Sequence, residues 1–339
     1  MTGSSMQPCD IYEAGTTPCV GAFSTVRALY GNYAGPLYQV RRADSTTMDI
    51  PAVTPGGVAE SSVQDAFCSG TTCTISILYD QSPQGNNLTK APAGGNGPTP
   101  DVEAVANALP IMIGGHKAYG VHITPKTSTA TQVAYRNDKT TGVATGDDPE
   151  SIYEVTDGTY FNGSCCFDFG NAETNNQAGA GGTMDALYFG NTGSWDTGAG
   201  SGPWVMADME AGVYSQGGST FAKNSQDLSL PYSFVTAILK NNSSTATASD
   251  GPFTLKGGNA QMGALTTMYT GARPTGIQFY GTQNYTKMQK QGAILLGVGG
   301  DNSSGAQGNF YEGVMIAGYA STATDNAVQA NIVAAGYGH

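Results

Sequence analysis

The sequence predicts an all-β fold, an antiparallel β-sandwich, on three observations. Short alternating or β-branched runs recur along the whole chain, about a dozen of them, each bounded by Gly, Pro, Asn or Asp. Glycine is abundant, 48 of 339 residues, while charged residues make up only 12%. That composition suits strands joined by tight turns and does not suit a helical bundle. Third, no repeat at a fixed period is present, which argues against a propeller. No linker divides the chain, so residues 7–339 read as a single domain. Residues 1–6, Met-Thr-Gly-Ser-Ser-Met, read as a leader of cloning origin.

The elements follow in order. Cys9 and Cys19 bracket a first loop. Residues 24–30 predict a short helix with Ser24 as its N-cap. Residues 36–42 alternate and predict a strand; 43–60 are rich in turn formers; 63–67 predict a helical turn. Residues 73–80 predict a strong strand, 81–87 a turn and 90–106 a Pro/Gly loop. Residues 109–113 and 118–123 predict a hairpin around Gly114-Gly115, and 124–150 are polar and irregular. Short strands are expected at 151–155 and 165–169, a Gly/Asn/Ala loop at 171–182, and a strand at 184–189 before a loop carrying Trp195. Residues 203–210 predict a strand, as do 232–239 and, more weakly, 253–256, 265–270 and 276–280. Residues 293–298 are apolar throughout and predict a buried strand running into Gly299-Gly300-Asp301-Asn302. A strand at 311–317 and a helix at 323–335, beginning at Thr324 or Asp325, close the chain.

The formal net charge is −12, which argues against nucleic acid or an anionic membrane as a partner. A neutral ligand and an acidic working pH fit it, and solubility alone would also account for it. No run of 18 apolar residues is present, so no membrane-spanning helix is expected. Six cysteines suggest disulfides, an oxidising compartment and therefore secretion. Local pairing, Cys9 with Cys19 and Cys68 with Cys73, is the simplest of the possible connectivities. Cys165 and Cys166 then pair with each other, pair elsewhere or stay free. Zinc is the rival reading, but His116, His122 and His339 have no ligand-like spacing with any cysteine. Asn-x-Ser/Thr sequons stand at Asn87, Asn162, Asn241, Asn242, Asn284 and Asn302.

Chemistry concentrates in the stretch 203–210. On a strand, Trp204, Met206, Asp208 and Glu210 share one face, and Val205, Ala207 and Met209 share the other, which suits a core. Two carboxylates on a half-buried face repel each other and are costly unless something uses them; a hydrogen-bonded structural pair is the plainer reading. Asp301 follows a buried strand through two glycines, which on its own most often marks a turn. Together these sites offer the two carboxyl groups that glycoside hydrolysis needs. Trp195, in a polar Gly-rich loop, suits either stacking on a sugar or core packing. A Cys165–Cys166 disulfide would form a rigid apolar plate. No nucleophile elbow, phosphate loop or dinucleotide fingerprint is present.

At these residues the chain resembles the catalytic domain of glycoside hydrolase family 54, the α-L-arabinofuranosidase B enzymes. The matching stretches are Cys9-Asp-Ile-Tyr-Glu-Ala-Gly with Thr17-Pro-Cys19, Arg27-Ala-Leu-Tyr, Tyr79-Asp-Gln-Ser, Cys165-Cys-Phe-Asp-Phe-Gly-Asn-Ala-Glu-Thr, Gly202-Pro-Trp-Val-Met with Asp208-Met-Glu210, Thr270-Gly-Ala-Arg-Pro, Gly299-Gly-Asp-Asn-Ser and Phe310-Tyr-Glu-Gly-Val-Met. The resemblance implies a concanavalin A-like sandwich (a jelly roll) and a retaining mechanism. It places Glu210 as nucleophile and Asp301 as acid/base, with Asp208, Trp195, Gly300 and a vicinal Cys165–Cys166 disulfide at the sugar. It also implies disulfides Cys9–Cys19 and Cys68–Cys73. Retention would set the two catalytic carboxyls about 5–5.5 Å apart.

The implied activity is a secreted, exo-acting α-L-arabinofuranosidase that releases terminal arabinofuranose from arabinoxylan or arabinan side chains. It would need no metal or organic cofactor, bind no nucleic acid or membrane, and act as a monomer. Two departures stand out. Family members commonly carry Asn after the nucleophile, where this chain has Ala211. The family's C-terminal β-trefoil arabinose-binding module is expected to be absent, since the chain ends at His339. A galactofuranosidase or β-xylosidase, or a lectin-like module that holds sugar without cutting it, are the alternatives.

Overall fold

The computed structural model describes residues 6–246 and 251–339. Residues 1–5 of the expected leader lie outside the described residues.

Two seven-stranded antiparallel sheets form the body of the chain, as the composition predicts. The first runs Cys19–Ser24, Gly308–Ala317, Glu150–Thr156, Val235–Asn241, Phe253–Asn259, Thr266–Gly271, with Val121–Ile123 also on Gly308–Ala317. The second runs Val213–Tyr214, Trp204–Asp208, Asp185–Gly190, Asp168–Ala172, Ala293–Leu296, Tyr135–Asn137, Thr89–Lys90. Register is continuous through the middle of the first sheet, where Tyr153 lies between Ile238 and Val314. In the second, Phe169 lies between Leu187 and Leu296. Val205, Ala207 and Met209 join Phe169, Leu187, Leu239, Leu296 and Phe310 in one large buried cluster. The apolar face read from residues 203–210 is therefore a core face, and apolar burial at about 25 cal/mol per Å² is what holds it there.

The strand Glu150–Thr156 is buried at every position, because the first sheet is covered on its other side. The helix Thr322–Ala334 brings Asp325 to Lys240 (2.9 Å) and Lys256 (2.6 Å). Arg27 adds a two-point contact to Glu312, at 2.5 and 2.7 Å. Buried ions tolerate this setting only when paired in this way.

Several sequence expectations are corrected. Residues 24–30 form no helix. Ser24 Oγ accepts the N–H groups of Val26 and Arg27 as a cap would, but Ala28 N–H donates to Gly57 and Leu29 N–H to Gln81. Long-range partners take the donors a helix would use. A helix instead spans Pro8–Ala14, with Pro at its first turn. The segment 124–150 is not wholly irregular: Tyr135–Asn137 joins the second sheet. Ser321, not Thr324 or Asp325, caps the last helix, its side chain accepting from Thr324 N–H. The cysteines pair as Cys9–Cys19, Cys68–Cys73 and Cys165–Cys166. Sequon residues Asn241 and Asn302 are buried, so neither is open to glycosylation in this fold. Among the described residues no helix is long and apolar enough to cross a membrane.

Candidate active site

A cavity of about 610 Å³ opens over the second sheet, and Cys165, Trp195, Asp208, Glu210, Gly300 and Asp301 all line it. Cys166 is fully buried against that wall, with Tyr188, Trp204, Met206 and Val213. The residues singled out from four separate stretches thus meet in one place. The strand Trp204–Asp208 fixes Asp208, with Ala186 opposite it and Tyr188 opposite Met206.

Glu210 does not continue that strand, which corrects the expectation for residues 203–210. The strand stops at Asp208 because the Asp208 Oδ1 atom accepts Glu210 N–H at 3.0 Å, an Asx-type turn. Glu210 and Ala211 both take left-handed backbone, φ +62° and +55°. Two consecutive non-glycine residues there cost roughly 1–2 kcal/mol each, and such strain persists only where the surroundings fix it. Here they do. Tyr285 Oη donates to the Glu210 carbonyl at 2.6 Å and lies 2.6 Å from Tyr214 Oη. Gly179 N–H donates to Glu210 Oε1 at 3.0 Å.

Asp301 is held differently. It follows the strand Ala293–Leu296 through Gly299 and Gly300. Its Oδ1 accepts from Ser303 N–H at 3.0 Å and from the Ser303 hydroxyl, and its carbonyl accepts from Asn96 N–H at 2.9 Å. Asn96 also donates from its side chain to Ser303 Oγ, at 3.1 Å. The Cys165–Cys166 disulfide forms one wall, with Cys166 Sγ 3.2 Å from Asp208 Oδ2. Trp195 packs beside it half-buried and lines the cavity, while its indole N–H is buried with no partner among the described residues. Cys165, Cys166 and Asp208 cluster closely enough to suggest a metal, but the two sulfurs are joined to each other and offer no thiolate.

Residues 8–338 match the family described as alpha-L-arabinofuranosidase B, catalytic. The chain belongs to this family. It is 52% identical over 335 residues to a probable alpha-L-arabinofuranosidase B of Aspergillus fumigatus, covering 97% of this chain and 62% of that protein. Against the alpha-L-arabinofuranosidase B of Aspergillus niger it is 51% identical over 338 residues, 98% of this chain and 64% of the relative. The chain therefore spans a little under two thirds of the curated relatives' length. Among solved structures, a glutamate-to-glutamine mutant of a glycoside hydrolase family 54 α-L-arabinofuranosidase soaked with 4-nitrophenyl α-L-arabinofuranoside superposes with TM-score 0.88. So does an arabinofuranosidase complexed with arabinofuranosyl-α-1,2-xylobiose. Each is 50% identical, with 98% of this chain and 66% of the other covered.

Behind the arabinofuranosidase-family pocket, buried and outside its lining, lie two carboxyl groups that the sequence reading assigned no role. Asp168, at the head of the strand Asp168–Ala172, is fully buried and neither of its oxygens has a donor. It lies within hydrogen-bonding reach of Asp208. Glu173, just beyond that strand, lies within reach of Glu210. Burial pushes all four up, and neighbouring acids add to it for three of them: Asp208 to about 7, Glu210 to about 9 and Asp168 in the same direction, while Glu173 is raised by burial alone, against the Thr183 hydroxyl, Arg136 and its hydrogen bond with Glu210. For Glu210 the repulsion comes chiefly from Glu173 and then Asp208. The nearest cation, Arg136, is engaged below the pocket: it donates to the carbonyls of Gly300 and Glu173 and pairs with Asp138 at 2.6 Å. The signal for Asp168 and Glu173 was available, two acids in an otherwise apolar and small-residue run after Cys166, but nothing in the sequence tied them to residues 208–210.

Proposed function

We propose that this chain is a retaining exo-α-L-arabinofuranosidase that works outside the cell on arabinofuranose side chains of plant polysaccharides or their oligosaccharides. One observation carries the reading: in a family 54 catalytic domain, Glu210 and Asp301 reach the same small cavity from different loops, beside Asp208 and a flat disulfide wall. A cavity of about 610 Å³ suits a terminal sugar with part of its leaving group. The family membership and the relatives solved with arabinofuranosides support the choice of sugar. Three disulfides support an oxidising, extracellular setting. The cavity is complete within one chain, so a monomer suffices.

In this mechanism the Glu210 carboxylate attacks the anomeric carbon. The bond to the leaving oxygen breaks as Asp301 gives that oxygen its proton, and a glycosyl ester on Glu210 results. Asp301 then takes a proton from water, which attacks the same carbon and releases Glu210. Asp208 would hold sugar hydroxyls, and the Trp195 ring and the disulfide would face the furanose ring. Tyr280, 82% exposed at the cavity mouth and against Phe279 at 4.4 Å, offers a ring where the leaving sugar would lie.

A reversed assignment, with Asp301 attacking and Glu210 donating, has one observation in its favour: burial and neighbouring acids hold Glu210 up at about 9. The experiment is hydrolysis of 4-nitrophenyl α-L-arabinofuranoside with the anomeric form of the product followed by NMR, for wild type, Glu210→Ala and Asp301→Ala. Net retention, with azide rescuing Glu210→Ala to the inverted azide, supports the assignment given. Rescue confined to Asp301→Ala with an inverted azide reverses it. Turnover only on a galactofuranoside or xyloside moves the specificity, and bound but uncut sugar makes the chain a lectin.

A further inference from the structure

Glu173 is not among the groups the reaction above uses, and it is the side chain best placed to govern Glu210. Its Oε1 atom accepts from the Thr183 hydroxyl. Its Oε2 atom is buried and has no donor. The two carboxyls are brought together by Gly179. Gly179 N–H donates to Glu210 Oε1 at 3.0 Å, while a Cβ at position 179 would stand 2.8 Å from Glu173 Oε1 and 2.2 Å from Thr183 Oγ1. On the other side, a Cβ at position 300 would stand 2.2 Å from Glu173 Oε2. Glu173 is thus packed under both Glu210 and the residue preceding Asp301, in a slot that only glycines leave open.

Two buried carboxyls within hydrogen-bonding reach of each other cannot both ionise cheaply, so at acidic to neutral pH they hold one proton between them. With the proton on Glu210, the nucleophile is quenched. With it on Glu173, Oε2 becomes an O–H donor to a Glu210 carboxylate, and Oε1 keeps the Thr183 bond. We infer that Glu173 is a positioning residue that carries the shared proton whenever Glu210 attacks, so that the nucleophile is created by moving a proton within the pair. This deepens the retaining reading above and rests on it. The same geometry explains how a carboxyl in so acidic a pocket can be a nucleophile at all. The charged and titratable groups facing Glu173 are Glu210 and Asp208 from the pocket and Arg136, itself paired with Asp138, from below. The remaining face is the Thr183 hydroxyl.

The test is kcat/KM against pH on 4-nitrophenyl α-L-arabinofuranoside for wild type, Glu173→Gln and Glu173→Ala. Gln keeps a carbonyl for Thr183 and an N–H for Glu210. It should stay within about tenfold of wild type, with the acid limb displaced by less than about 0.5 pH unit. Ala leaves Glu210 buried without its donor. A charge-assisted hydrogen bond is worth about 1.5–3 kcal/mol, so the acid limb should climb by about 1 pH unit or more, with kcat falling more than KM rises. Both variants losing activity equally with an unmoved acid limb would reduce Glu173 to a structural role and overturn the inference. A second readout does not need turnover. Carboxyl NMR of glutamate-labelled protein should show two coupled titrations in wild type, one of them above the usual glutamate range near 4.3, and a single one of the pair in Glu173→Gln. Two independent titrations in the ordinary range overturn the inference even if the assay reports no arabinofuranosidase activity, an outcome that would itself count against the function and not against the pair.

Discussion

Two of the regions in which this chain buries carboxyl groups neutralise them by opposite means. Over the outer side of the first sheet, each acid meets a base: Asp325 lies between Lys240 and Lys256, and Glu312 is forked by Arg27. In the cavity, the acids meet one another: Asp168 with Asp208, and Glu173 with Glu210. The first arrangement fixes charge and holds a helix to a sheet. The second leaves charge movable, because a proton between two like groups can sit on either. In these two regions, the acids beside cations belong to the scaffold and the acids beside other acids belong to the chemistry.

Substitution can break that contrast, and the largest effect expected is at Glu210. Glu210→Gln should lower kcat by about 10⁴-fold or more, whereas Asp325→Asn should leave kcat on the same arabinofuranoside within about twofold. Stability should respond the other way. Asp325→Ala strands two buried lysines and should cost about 3–5 kcal/mol in urea denaturation, while Glu210→Gln should cost little or even stabilise.

The pH dependence sharpens the contrast further. Asp168 and Asp208 are raised in the folded state, Asp208 to about 7, so between the ordinary carboxyl range and pH 7 the native state binds more protons than the unfolded chain. Stability from these groups therefore falls as pH rises through that window. Asp168→Asn keeps the shape, removes one acid from the group around Asp208 and should flatten the fall. Melting temperatures at about pH 5 and 8 read it, and a decline as steep as wild type would count against the pairing. Smaller effects sit at the edges. Tyr280→Ala should raise KM several-fold on an arabinofuranosyl-xylooligosaccharide and hardly at all on the nitrophenyl glycoside. Ala211→Gly, at φ +55°, should add about 0.5–1 kcal/mol of stability, measurable by the same urea titration.

The sandwich was legible because alternation and turn residues act locally, and most predicted strands stand where they were read, within a few residues. The helix expected at residues 24–30 failed for the converse reason: Gly57 and Gln81, both distant in sequence, claim its backbone donors, and Glu312 claims the Arg27 side chain. Asp208 was visible as an acid on a strand beside an aromatic. Glu210 was visible only as its alternate neighbour; the turn that lifts it into the cavity is set by Asp208 Oδ1 and Tyr285. Glu173 was visible as an acid after Cys166, but its tie to Glu210 was not. Its importance depends on Gly179 and Gly300, two residues whose contribution is the absence of a side chain, and on a tertiary approach that no periodicity encodes.

The wall formed by Cys165 and Cys166 also ties the cavity to the place where the protein is made. As a disulfide, the pair presents two sulfurs with no hydrogen to give, and Asp208 Oδ2, 3.2 Å from Cys166 Sγ, receives nothing from it. Folded in a reducing cytosol, the same residues would be two thiols, and Asp208 would gain a hydrogen-bond donor that its pocket was built without. The other two bridges, Cys9–Cys19 and Cys68–Cys73, would open as well and lower stability, while the pairing of the two sheets rests on backbone hydrogen bonds. Material from the two production routes could then share a far-ultraviolet spectrum and differ in turnover, so a thiol titration belongs beside every activity measurement on this chain.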